Sequence, residues 1–94
     1  MVKIEREEDG KKGRFVIYDD GVFAGEMTYI WAGETKFIID HTGIEQAFGG
    51  KGFGKLLVQE AVDFARKQGV KILPLCPFAK AEFDKNESFN DVRF

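Results

Sequence analysis

The sequence predicts a mixed α+β fold: an antiparallel meander of strands that continues into a β-α-β unit, with two helices. Two observations predict it. Between short turn signals, the first half carries β-branched and aromatic runs with a period of two. The second half then switches to apolar residues at three- and four-residue spacing before a further β-rich run. The chain has 94 residues, enough for one domain spanning 1–94. With 44% hydrophobic and 32% charged residues, it is too apolar to read as disordered.

Taken in order, Val2 to Arg6 forms a first short strand, followed by the turn-rich run Glu7 to Gly13. Arg14-Phe15-Val16-Ile17-Tyr18 is a second strand and stops at Asp19-Asp20-Gly21, a hairpin signal. In the third strand Phe23, Gly25, Met27, Tyr29 and Trp31 share one face by alternation. Ala32-Gly33-Glu34 turns the chain into a fourth strand, Thr35 to Thr42. From Phe53 to Gln68 the apolar positions Phe53, Leu57, Ala61, Phe64 and Ala65 mark an amphipathic helix. Gly69 is its expected C-cap, and Arg66 and Lys67 suit its last turn. Val70 to Cys76 reads as a fifth strand, parallel to the fourth across the helix. Phe78 to Lys85 is a short second helix with Pro77 preset at its start, and Glu87 to Phe94 has no clear pattern. Phe15, Phe23, Trp31, Phe37 and Phe64 are the expected aromatic core.

Composition excludes several functions. A net charge of -2 disfavours nucleic acid as a partner. A single cysteine, Cys76, forbids an internal disulfide and a cysteine-cluster zinc site. A single histidine, His41, forbids motifs that pair two histidines on a metal, so no metal is expected. No apolar run reaches the ~18 residues of a membrane span. The charged run Met1 to Glu8 does not look like a signal peptide, so a cytoplasmic protein with no membrane partner is expected.

Between the fourth strand and the long helix lies Phe48-Gly49-Gly50-Lys51-Gly52-Phe53-Gly54-Lys55. So many glycines serve to bring backbone N–H groups close to a ligand, and the helix behind them adds orphan donors. That is a site for phosphate or pyrophosphate; the alternative is a flexible tight connection. A nucleotide P-loop fails at Leu56, where a hydroxyl should hold magnesium. The dinucleotide fingerprint fails because Gly50, Gly52 and Gly54 are spaced by two.

A strand end, the Gly52-Phe53-Gly54 turn and an amphipathic helix resemble the coenzyme A pyrophosphate loop of GNAT-type N-acetyltransferases. Gly52 and Gly54 match that family's loop, while Gly49 stands where Gln or Arg is usual. His41-Thr42-Gly43-Ile44, the glycine loop and Leu73-Pro74-Leu75-Cys76-Pro77-Phe78-Ala79-Lys80 resemble its small stand-alone subfamily of about a hundred residues. The resemblance implies a reduced GNAT-like domain with acetyl-CoA (coenzyme A) as co-substrate. It places Thr42, Ile44, Gly49, Gly50, Lys51, Gly52, Phe53, Gly54, Lys55 and Lys80 at the coenzyme. The two helices that follow the first strand in full-sized members, and help wall their acceptor site, are missing here.

Parallel strands four and five end at one sheet edge, which brings His41 and Cys76 beside the glycine loop. At ~4.8 Å between strands, the two side chains are expected to approach each other. Pro74 is tolerable if strands four and five splay, which is where the resembled family inserts the pantetheine arm. The expected function is acetyl transfer from coenzyme A to an unidentified amine, small-molecule or protein acceptor. His41 is the candidate base and Cys76 a candidate covalent relay. The alternative is a non-catalytic acyl-CoA-binding module or sensor. A thiol redox protein is a weaker third reading, lacking a resolving cysteine.

Overall fold

Short connections dictate how the first strands pair. The computed structural model describes all 94 residues. β1 (Val2–Glu8), β2 (Lys12–Asp19), β3 (Val22–Trp31) and β4 (Lys36–Ile44) form an antiparallel meander. In the first turn Asp9 Oδ1 accepts the N–H groups of Lys11 and Lys12 at 2.9 and 2.8 Å. The second turn places Asp20 and Gly21 at φ of 50° and 81°, the paired left-handed conformations that match strand twist in a two-residue hairpin.

After β4 come a 3-10 turn (Gln46–Phe48), α1 (Phe53–Gln68), β5 (Lys71–Pro74) and α2 (Pro77–Lys85). β5 pairs with β4 in parallel, so the sheet order is β1-β2-β3-β4-β5. This is the fold expected from the sequence. α1 buries Phe53, Leu57, Val58, Ala61, Val62 and Ala65, and ends where Gly69 turns to φ 69°. Both helices pack on one face of the sheet, where Phe15, Ile17, Met27, Tyr29, Phe37, Ile39 and Ile72 join Ala79 and Phe83 in a single core. The rings of Phe15, Tyr29, Trp31, Phe37 and Phe64 sit 4.9–6.4 Å apart in tilted and edge contacts. Burying one such ring stabilises the fold by about 1.5–3 kcal/mol. No helix is long and apolar enough to cross a membrane.

The opposite sheet face is open and polar. Arg14 bridges Glu7 and Glu26 there, and Thr28 donates to Asp40. At the far end of the sheet a carboxylate closes the core. Glu8 Oε1 accepts from Arg6 at 2.9 Å, the Tyr29 hydroxyl at 2.7 Å and Trp31 Nε1 at 2.7 Å. Burial opposes the charge on Glu8, but the hydrogen bonds from Trp31 and Tyr29 and the Arg6 cation outweigh it, and its pKa falls. Burial also pushes the Tyr29 phenol up to about 12.

Two bulges alter the alternation expected from the sequence. The β2–β3 register shifts so that Ala24 is the extra residue, which turns Phe23 away from the core and leaves it 38% exposed. In β4, Tyr29 pairs with Ile39 but Thr28 with His41, making Asp40 the extra residue. Strand β5 is also shorter than expected, and β4 runs on to Ile44.

Pro74 has a simpler explanation than splaying alone. Lys71 donates inward to Thr35, just before β4, and Leu75 to Ile39 of β4, whereas Ile72 donates outward to Val92. By alternation the Pro74 nitrogen also faces outward, toward the sheet edge where no strand needs a donor. The C-terminal segment lies along that edge, with Phe94 donating to Ile72.

Candidate functional site

The parallel pairing of β4 and β5 ends at Ile39 with Pro74. Leu75 and Cys76 then turn inward, both donating to the Ile39 carbonyl at 3.0 Å. β4 continues to Ile44 paired with β3 only, so its other edge opens beyond Ile39. A slot results between the ends of two parallel strands, at the position where open sheets accept ligands.

The glycine loop forms one bank of this slot. Phe48, ending the 3-10 turn, stacks on Phe53 at 6.0 Å and anchors the loop at both ends. Gly50 and Gly52 take φ of 79° and 78°, which only glycine adopts without strain. Gly52 is the N-cap of α1 and offers no capping side chain. The first helical bond is Leu56 N–H to the Gly52 carbonyl at 3.2 Å. Consequently the backbone N–H groups of Gly50, Lys51, Gly52, Phe53, Gly54 and Lys55 have no partner within the protein. Consecutive free donors at a helix N-terminus are the arrangement that binds phosphate oxygens.

Gly49, Gly50, Gly52, Phe53, Gly54 and Lys55 line a groove of about 260 Å³ together with Thr42, Ile44, Phe48 and Phe78. Thr42 leads from the groove to the cysteine. Its Oγ1 lies 3.3 Å from Cys76 Sγ, and the sulfur accepts the Ala79 N–H at 3.3 Å as the N-cap of α2. Cys76 is 5% exposed, so its thiol sits beneath the groove rather than on the surface. The first turn of α2 thus holds this sulfur in place through the Ala79 N–H.

His41 does not approach Cys76. The bulge at Asp40 places Thr42 on the helix side of the sheet and His41 on the open face, where its imidazole lies over Gly43. A β-carbon on Gly43 would stand 3.0 Å from His41 Nε2, so the two residues share that face. The two lysines at the outer margin are also elsewhere. Lys51 reaches back to Asp19 at 3.6 Å, and Lys80 pairs with Asp84 at 3.0 Å. Lys55 is the cation on the groove itself. Two lining residues, Phe48 and Phe78, were not expected from the sequence. The position of Phe78 straight after Cys76-Pro77 at a helix start was the available signal for one of them.

Residues 14–92 match the family model described as GCN5-related N-acetyl-transferase. The chain belongs to the GCN5-related N-acetyltransferase family. A GCN5-like protein from Staphylococcus aureus, solved by NMR, is 35% identical; the match covers 96% of this chain and 87% of that one, with a TM-score of 0.72. An acetyltransferase from Bacillus subtilis in complex with CoA shares the fold at 17% identity, covering 90% and 74% of the two chains with a TM-score of 0.71. A GNAT acetyltransferase from Elizabethkingia anophelis with acetyl-CoA bound does so at 10% identity, covering 78% and 63% with a TM-score of 0.68. No curated protein matches the chain.

Proposed function

We propose that this protein binds acetyl-CoA in the groove between the glycine loop and α2 and passes the acetyl group through Cys76 to an acceptor. The observation that carries the reading is the run of free N–H groups from Gly50 to Lys55, continuous with a groove that leads to a thiol. Those donors hold the pyrophosphate, and the Lys55 ammonium adds a charge that water does not fully screen at contact distance. Thr42 and Ile44 border the pantetheine arm, and the unpaired edge of β4 offers it backbone hydrogen bonds.

Cys76 Sγ then attacks the thioester carbonyl. The bond from the acetyl carbon to Cys76 forms, the bond to the coenzyme sulfur breaks, and the coenzyme thiolate takes up the proton that Cys76 released. The Ala79 N–H holds Cys76 Sγ in position for that attack. His41 takes no part in that step. It lies on the face of the sheet opposite Cys76, so in the second transfer the acceptor nitrogen bonds to the acetyl carbon, the bond to Cys76 Sγ breaks, and the leaving sulfur takes up the amine proton. Lys51 and Lys80 act at most through their field on the coenzyme.

One observation favours a second reading, an acyl-CoA-binding module without turnover. The open face carries no wall that would fix an acceptor, since only Asp9, Gly10 and Lys11 separate the first two strands. Mass spectrometry of the intact protein with acetyl-CoA separates the readings. The proposal predicts a one-to-one complex under native conditions and one acetyl group on Cys76 after denaturation, with Cys76→Ala keeping only the complex. A complex without the adduct supports the binding module. No complex at all overturns both.

A further inference from the structure

Cys76 is buried beneath the groove and does not line it, so a proton leaving its thiol has to pass through a neighbour. Two hydrogen bonds surround the sulfur. The Ala79 N–H donates to Sγ at 3.3 Å, which uses the sulfur as an acceptor. The other partner is Thr42 Oγ1, also at 3.3 Å. A thiol carries a single hydrogen, and the Thr42 oxygen is the acceptor beside it. With the thiol donating to Oγ1, the hydroxyl hydrogen of Thr42 has no partner within the protein and is left for the groove that Thr42 borders.

No titratable base competes for that proton. On β4, Asp40 accepts from Thr28 and His41 lies on the sheet face opposite the thiol. On α2, Lys80 pairs with Asp84, and the buried Glu82 faces Lys85 at 3.5 Å. From α1, the titratable side chain that lines the groove is Lys55, a cation. Resting on the acetyl-CoA reading above, we infer that Thr42 is a catalytic residue that carries the Cys76 proton to the departing coenzyme sulfur. As Sγ bonds to the acetyl carbon, its proton passes to Thr42 Oγ1. The hydroxyl's own proton passes to the coenzyme sulfur as the bond from that sulfur to the acetyl carbon breaks. Midway both sulfurs are bonded to one carbon, so a hydroxyl touching one reaches the other. Thr42 ends as a neutral hydroxyl, and the products are acetylated Cys76 and coenzyme A. The bulge at Asp40 makes this possible, because it brings Thr42 rather than His41 to the thiol.

The test follows acetylation of Cys76 by acetyl-CoA in the wild type, Thr42→Val and Thr42→Ser, by intact-protein mass spectrometry across neutral pH. Thr42→Val keeps the β-branched shape that suits a strand but lacks the hydroxyl, whereas Thr42→Ser keeps the hydroxyl. Thr42→Val should slow acetylation about a hundredfold, as expected for loss of a positioned proton transfer. Its rate should also rise about tenfold per pH unit, because the proton then has to leave to hydroxide, while the wild type and Thr42→Ser keep a nearly flat profile. Coenzyme A affinity, read by calorimetry, should fall far less than the rate. Equal rates and profiles in Thr42→Val and the wild type overturn the inference and leave the Cys76 relay standing, as does a Thr42→Ser protein as slow as Thr42→Val. A Thr42→Val protein that loses coenzyme binding in step with its rate makes Thr42 a binding residue and also overturns it. A wild type that binds acetyl-CoA without ever carrying the adduct removes the relay itself, and this inference with it.

Discussion

Replacing Gly54 with Ala tests the groove through a single methyl group. The new β-carbon would lie 2.6 Å from Phe78 Cζ, whereas ordinary contact begins at 3.4 Å, so the ring must retreat by about 0.8 Å. Overpacking of this kind costs about 1–3 kcal/mol, and Ala regains about 1 kcal/mol over Gly inside a helix. The net loss of stability should therefore fall between about 0 and 2 kcal/mol. The ring is partly exposed and retreats toward the groove, where it takes up ligand space. Coenzyme A should then have to push it back against the same strain, weakening binding by about 1–2 kcal/mol, roughly tenfold. Calorimetry with coenzyme A, alongside urea denaturation, reads both quantities. Adding Phe78→Leu should restore affinity, because the smaller side chain frees the space that the methyl group needs. Normal affinity in folded Gly54→Ala, or no rescue in the double variant, would refute the contact between this pair and the ligand path. Gly52→Ala is the control: its φ of 78° makes a β-carbon strained, but nothing lies within 4 Å of it.

Other consequences follow from particular side chains. Glu8→Gln should lower stability at neutral pH by about 1–3 kcal/mol in chemical denaturation, because a charged acceptor of three hydrogen bonds is lost. Since folding lowers the Glu8 pKa below its ordinary value of 4.5, its contribution is full above that value and is lost as pH falls through the folded pKa. The variant should accordingly show a shallower loss of stability in acid than the wild type, and equal slopes would contradict the assignment. Lys55→Gln should weaken coenzyme A binding and flatten its salt dependence, while Lys51→Gln, whose parent lysine is paired with Asp19, should do so less. His41→Ala should leave the alkylation rate of Cys76 unchanged, because the two lie on opposite faces of the sheet. A slowed rate would place the imidazole near the thiol after all.

The parts of the fold legible in the sequence are those written in local chemistry. The spacing of Phe53, Leu57, Ala61 and Ala65 placed α1 to the residue, and Gly69 its end. The glycine run between strand and helix pointed to the site for the same reason it now lines it: no other residue leaves so many donors uncovered. What the sequence hid was the phase of the strands. Strict alternation puts Phe37, Ile39 and His41 on one face, and a single extra residue at Asp40 reverses everything beyond it. That reversal separates His41 from Cys76 and brings Thr42 to the thiol instead. The bulge at Ala24 moved Phe23 out of the core in the same way. No residue type signals such an insertion, because it is decided by pairing with a neighbouring strand. The partner of Lys51, Asp19, was likewise hidden by its distance along the chain, whereas the spacing of Lys80 and Asp84 on one helix was open to reading.

The central claim is that the backbone donors from Gly50 to Lys55 hold the coenzyme. An amide-resolved NMR titration with coenzyme A measures it most directly, since each of these residues carries its own N–H signal. The amides of Gly50, Lys51, Gly52, Phe53, Gly54 and Lys55 should shift together with one affinity as they gain hydrogen bonds, while the open-face amides of Glu5, Arg14 and Thr28 stay in place. Binding that leaves the loop amides unmoved and shifts others instead would contradict it.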